Sequence, residues 1–241
     1  MNDDRTRPAR TGAFGTALVG GVVGSALTAA LIFFAAPTLL SSKIVRKGLL
    51  ADPKILTDAM GALRDAQYEP VLATNRAALE TPFGSSWKGS AKPDVTLVEF
   101  FDYACPYCKA SNPAVDQLIR EDKGLRVVYR ELPILGPDSV TAARLSLAAS
   151  KLGHFGSFHD TLWAAGRPAP DTNAQAAQAA GIAPEPKADP DVEAELRRNM
   201  KLAGELGATG TPLFVIGNRV MNGAVGYDTL KDGIAAARSK S

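Results

Sequence analysis

The sequence predicts an α/β domain with the element order β-α-β, a block of helices, then β-β-α, placed behind an N-terminal apolar span and a helical segment. Three observations predict it. Val95 to Phe101 is a dense apolar, β-prone run of the kind buried in the middle of a sheet. Between Ser139 and Leu206 lie Ala-rich stretches with helical periodicity, separated by Gly and Pro. Leu213 to Ile216 and Arg219 to Asn222 are short apolar runs joined by Gly217-Asn218, a two-residue hairpin turn.

Composition bounds the reading. The chain has 241 residues, enough for one domain plus attachments. With 46% hydrophobic and 22% charged residues it can build a packed core. A net charge of +2 without a dense basic stripe excludes a nucleic-acid binder. The chain has two cysteines, three positions apart, so no wider disulfide framework can form within it.

The elements follow in order. Residues 1–12 are a short tail with Arg5, Arg7 and Arg10. No charge occurs from Thr11 to Ser42, and residues 13–40 are long enough for a membrane anchor with the body outside. A cleavable signal is the alternative, with Thr28-Ala29-Ala30 as a small-residue cut site. The basic residues flanking the span tie in number, so the positive-inside rule does not orient it. Gly20 and Gly24 form a G-x-x-x-G pair, which small residues in a span make common. Residues 41–80 are a helical stalk, with Asp52-Pro53 as a restart and Glu69-Pro70 as a stop. Leu49, Leu56 and Leu63 are seven apart, which suits self-association; a helix folded back on the domain is the alternative. Residues 81–93, rich in Pro, Gly and Ser, are a linker, and 94–241 form the domain, with a helical insertion at about 137–206. Within the domain, the pattern predicts helices over Pro106–Glu121, Ser139–Leu152, His154–Ala165, Thr172–Ala180, Pro190–Leu206 and Tyr227–Arg238, and a strand over Leu125–Arg130.

The chemical centre is Cys105-Pro106-Tyr107-Cys108, after a buried-type strand and at the start of a helix. A thiol there faces unpaired backbone N–H groups and the positive end of the helix dipole, which favour the thiolate. Pro106 suits the first helical turn, and Cys108, one turn on, can reach Cys105 to close a disulfide. Gly210-Thr211-Pro212 precedes the third strand, where a proline is out of place unless the turn requires it; a cis bond and plain strand capping are both open. Glu99 lies inside an apolar strand six residues before Cys105, as a buried proton relay or as a strand-end residue reaching water.

Leu97-Val98-Glu99-Phe100-Phe101-Asp102-Tyr103-Ala104-Cys105-Pro106-Tyr107-Cys108 resembles the active-site strand and turn of the DsbA family of thiol:disulfide oxidoreductases. Arg130-Glu131-Leu132-Pro133-Ile134-Leu135-Gly136 and Leu206-Gly207-Ala208-Thr209-Gly210-Thr211-Pro212 resemble two further blocks of it. The resemblance implies a thioredoxin-like fold with a helical insertion, Cys105 as attacking thiol, Cys108 as resolving thiol and Pro212 cis. It also implies that the Thr211 backbone holds the substrate chain and that Glu99 assists the buried cysteine. Val45 to Pro53 is similar to the N-terminal segment of the ScsC/Com1 type, where it can serve as an oligomerisation stalk. Two positions depart from the oxidases. Tyr107 stands where they usually carry His, which implies a milder oxidant, and Thr211 is more often seen in isomerases and reducing relatives.

These features predict thiol–disulfide exchange on cysteine-containing exported proteins in the periplasm, with a membrane redox partner recharging the pair, no cofactor, no metal and no nucleic acid. Oxidase, isomerase and reductase share the same two cysteines and differ in potential and partner. Zinc or copper on the thiolate pair is a competing reading, although His154 and His159 lie too far along the chain for a finger-type site. A membrane-anchored scaffold with incidental thiols is another.

Overall fold

The computed structural model describes residues 44–185 and 188–239. The expected anchor (13–40), the tail before it and the Gly20/Gly24 pair lie outside the described residues. Among those described, no helix is long and apolar enough to cross a membrane. The chain divides into two compact units, one ending at Gly61 and the other running from Ala62.

The first unit holds helix α1 (44–51) and the start of α2 (Lys54–Glu80). Its apolar residues are not covered: Ile44, Val45, Leu50, Ile55, Leu56 and Met60 are exposed.

The second unit is built on one sheet of β1 (Trp87–Gly89), β2 (Val95–Phe101), β3 (Leu125–Glu131), β4 (Leu213–Ile216) and β5 (Arg219–Asn222), in the order β1-β3-β2-β4-β5. β2 runs parallel to β3 and antiparallel to β4. Strand alternation sends its side chains to two cores. Leu97, Phe101, Val127, Tyr129, Phe214 and Ile216 face one, with α3 (Pro106–Glu121), α8 (Tyr227–Arg238) and the helices α4 (Pro137–Lys151), α5 (Phe155–Ala165) and α6 (Pro170–Ala179). Val98, Phe100, Val128, Leu213 and Val215 face the other, with Leu72 and Leu79 of α2 and with Leu202 of α7 (Pro190–Glu205).

Two expectations are corrected here. Pro70 does not stop a helix: α2 runs through it to Glu80. Its missing N–H removes one helical bond, but tertiary packing of Leu72 and Leu79 holds the following turns. Arg130 secures the same end, donating to the carbonyls of Ala78, Leu79 and Thr81. The later part of the expected stalk is thus a wall of the second core. Residues 81–93 are also more than a linker, because they contain β1, which pairs antiparallel with β3. Their polar side chains are committed to the domain: Ser86 Oγ lies 2.7 Å from Ser150 Oγ, and the Ser85 N–H donates to the Ser150 carbonyl at 3.0 Å. Gly84 has φ +54, and a Cβ there would stand 2.4 Å from the same carbonyl, so the composition that looks like a linker is a close approach of two backbones.

The other elements match within a few residues. Each of Pro137, Pro170 and Pro190 occupies the first helical turn. For α4 and α6 this starts the helix two residues earlier than the apolar pattern indicates. The Gly217-Asn218 turn joins β4 to β5 with Ile216 opposite Arg219.

Candidate functional site

β2 ends at Phe101, and the turn Asp102–Ala104 delivers the chain to Cys105, the residue that caps α3 with extended backbone angles (φ −81, ψ 117). Pro106 takes the first helical turn, where its missing N–H costs nothing. Both cysteines are free thiols. Cys108 is fully buried, Cys105 is nearly so, and Tyr107 between them is 64% exposed. Pro106 and Tyr107, between the two buried thiols, are therefore the part of the motif open to an incoming chain.

The cis-peptide expectation holds, since Thr211-Pro212 is cis. The Cys105 thiol donates to the Thr211 carbonyl at 3.2 Å. Two segments more than a hundred residues apart in sequence thus meet at one sulfur. The turn itself is fixed by Asp102, a residue the sequence reading did not single out. Its buried carboxylate accepts from the N–H groups of Ala104 (2.8 Å), Ile134 (2.8 Å) and Leu135 (2.9 Å). The signal for it was available: a lone acid immediately after an apolar strand and before a turn suits side-chain to backbone bonding.

Glu99 is buried at 1% exposure, on the same sheet face as Leu97 and Phe101, and does not reach water. Neither of its carboxyl oxygens has a hydrogen-bond partner. Burial pushes its pKa up to about 8; Asp116 raises it further and Lys88 offsets part of the rise. Cys108 is held far above the usual thiol range, chiefly by burial and then by the Glu99 charge. The two groups therefore disfavour each other's ionised form, as neighbours in a proton transfer do.

The histidines of the metal alternative are engaged elsewhere. His159 Nδ1 is 3.1 Å from the Tyr103 hydroxyl and its Nε2 accepts from the Trp163 indole at 3.2 Å. His154 Nδ1 lies 2.7 Å from the Ala180 carbonyl. Among the described residues no group of three or more His, Cys, Asp or Glu is placed to hold a metal ion.

Residues 96–235 match the family model of the DSBA-like thioredoxin domain. A thioredoxin-like oxidoreductase from Silicibacter pomeroyi DSS-3 is 36% identical, covering 69% of this chain and 99% of that one, with a TM-score of 0.64. A periplasmic thioredoxin-like protein from Salmonella enterica serovar Typhimurium is 33% identical over 68% of this chain and 95% of that one, TM-score 0.62. Proteus mirabilis ScsC in a transitional conformation is 28% identical and covers 86% of this chain and 99% of its own, TM-score 0.65. Among curated sequences, the Na(+)/H(+) antiporter NhaA 3 of Salinispora tropica is 38% identical over 79 residues. That match takes in 32% of this chain and only 12% of the antiporter's length. Cys105 caps α3 beside a cis-proline turn, and the family match covers more than half of the sequence: the chain belongs to the DSBA-like thioredoxin domain family.

Proposed function

We propose that the chain is an extracytoplasmic thiol:disulfide oxidoreductase acting on cysteine-containing exported proteins through Cys105 and Cys108. The observation that carries the reading is the placement of Cys105: at the start of α3, beside the Thr211 carbonyl, with a second thiol one turn behind it. The Cys105 thiolate attacks one sulfur of a substrate disulfide, forms a mixed disulfide and releases the other substrate sulfur as a thiolate. Cys108 then loses its proton and attacks the Cys105 sulfur. The Cys105–Cys108 disulfide closes and the substrate leaves as a dithiol. Run backwards, the same steps oxidise a substrate. Glu99 is the nearby base for Cys108, because it is buried, unpartnered and poised near neutrality. Thr211 and Pro212 line the substrate side of Cys105, and Tyr107 and Pro106 shape its rim.

We assign the direction as isomerase rather than oxidase. Tyr107 and Thr211 both depart from the oxidase pattern, and the exposed apolar residues from Ile44 to Leu63 suit contact between copies of the chain. A membrane redox partner would keep the pair reduced. The N-terminal apolar run supports an inner-membrane anchor with the domain in the periplasm. Two experiments test this reading. Cys105→Ser should abolish reactivation of a scrambled-disulfide substrate; retained activity would support a scaffold with incidental thiols. Deleting residues 44–61 should abolish reactivation and reduce the sedimentation mass while leaving oxidation of a reduced peptide intact. Unchanged reactivation would remove the copies from the mechanism.

A further inference from the structure

The turn that presents Cys105 is fastened on two sides. Asp102 ties it to the segment after β3. Tyr103 ties it to the helical insertion: its hydroxyl lies 3.0 Å from Ser146 Oγ on α4 and 3.1 Å from His159 Nδ1 on α5. One helical turn beyond His159, the Trp163 indole N–H donates to His159 Nε2 at 3.2 Å. At the other end, the Glu131 carboxyl lies buried close to Ser146, and its Oε1 has no partner. Glu131, Ser146, Tyr103 and His159 are all buried, with Trp163 at the edge. The rings of Tyr129 and Phe155 pack 4.7 Å from the imidazole, centre to centre.

The chain of bonds has a direction. An indole N–H can only donate, so His159 Nε2 is an acceptor and carries no proton. Burial, with the Lys88 charge adding to it, holds the His159 pKa well below its ordinary value, so the ring is neutral. A neutral ring bare at Nε2 carries its proton on Nδ1. That proton is donated to the Tyr103 oxygen, and Tyr103 donates to Ser146. Reversing the sequence would set two protons against each other at His159 Nε2.

We propose that His159 is a positioning residue for the thiol pair: locked by Trp163 as the Nδ1–H tautomer, it fixes Tyr103 and so the turn that presents Cys105. The inference rests on the reading of Cys105 as the attacking thiol. A purely packing role for the cluster makes a different prediction, because Tyr103→Phe and Trp163→Phe keep apolar rings in place and delete only the bonds.

The test uses the reduced full chain and a small aromatic disulfide, 5,5′-dithiobis(2-nitrobenzoate), with the second-order rate followed by released chromophore. Tyr103→Phe and Trp163→Phe are each expected to slow the reaction about fivefold, the equivalent of one net hydrogen bond. The double variant should be no slower than the slower single, since both cuts sever one chain. Unchanged rates, or single effects that multiply, would overturn the inference. Independently of any variant, the ¹⁵N shifts of His159 in the wild type should show Nδ1 protonated and Nε2 bare, and the opposite tautomer overturns it. A wild type inert to the disulfide would instead remove the thiol reading beneath it, whereas an active wild type with unchanged variants removes this inference alone.

Discussion

Glu99 and Arg130 are buried ionisable side chains on adjacent strands, on opposite faces of the sheet, and their surroundings are opposite too. Arg130 is surrounded by acceptors: Glu195 at 2.5 Å, Asn199 at 3.2 Å and the carbonyls of Ala78, Leu79 and Thr81. Glu99 has no partner on either oxygen. A guanidinium cannot shed its proton, so burying it requires acceptors for its fork of donors. A carboxyl can become neutral, and burial without partners leaves it doing so near neutral pH. The satisfied ion joins α2 and α7 to β3. The unsatisfied acid sits close enough to Cys108 for its charge to oppose ionisation of that thiol.

The largest expected effect comes from breaking the satisfied side. Arg130→Met should destabilise the protein by about 3–5 kcal/mol, because it leaves Glu195 Oε1 and several carbonyls without their donor, with Arg198 remaining on Glu195 Oε2 alone. Urea unfolding measures it, and adding Glu195→Leu should recover much of the loss. If Arg130→Met were neutral, the buried pair would contribute no net stability.

Glu99 should act through pH. Its folded pKa of about 8 lies above the unfolded value near 4.5. The folded state therefore binds the extra proton, and stability from this group is fully present below pH 4.5 and lost as pH rises towards 8. The slope is at most roughly 1.4 kcal/mol per pH unit. Glu99→Gln should flatten that fall, so that the two proteins diverge steadily from pH 5 to pH 8 in denaturation series. Resolution of a Cys105 mixed disulfide by Cys108 should accelerate through an inflection near pH 8 in the wild type. Burial sets this inflection first, with Asp116 raising it and Lys88 lowering it; Cys108 and Tyr129 are neighbours whose own ionisation the Glu99 charge opposes. Loss of the inflection in Glu99→Gln supports the base role; its persistence assigns the titration elsewhere.

The smallest effect lies at the rim. Lys88 pairs with Asp160, whose side chain is 65% exposed. Asp160→Ala should change stability by no more than about 1 kcal/mol. A larger loss would mean that the rim contributes to the same balance as the interior.

Much of this was legible in the sequence. β2, α3, β4, β5 and α8 declare themselves through apolar period, Pro106 and the Gly217 turn, and the thiol pair, Glu99 and Thr211-Pro212 stand out by spacing and context alone. What escaped has a common cause: contacts distant in sequence. Residues 81–93 look like a linker because Ser85 and Ser86 are satisfied by Ser150, and β1 by β3, far along the chain. Pro70 looks like a stop because the packing that carries α2 past it comes from the sheet. Arg130 and Asp102 look like surface charges until their acceptors and donors assemble around them. The His159 chain joins residues from three separate segments, which no local pattern announces.

Trapping the mixed-disulfide intermediate distinguishes an attacking Cys105 from a resolving Cys108. The full chain carrying Cys108→Ala should accumulate a covalent adduct with a disulfide-containing exported protein, seen as a mass shift removed by dithiothreitol. Cys105→Ala should yield none, since Cys108 is buried and its thiol held protonated. Equal adducts from both variants, or adducts only from Cys105→Ala, would contradict the assignment.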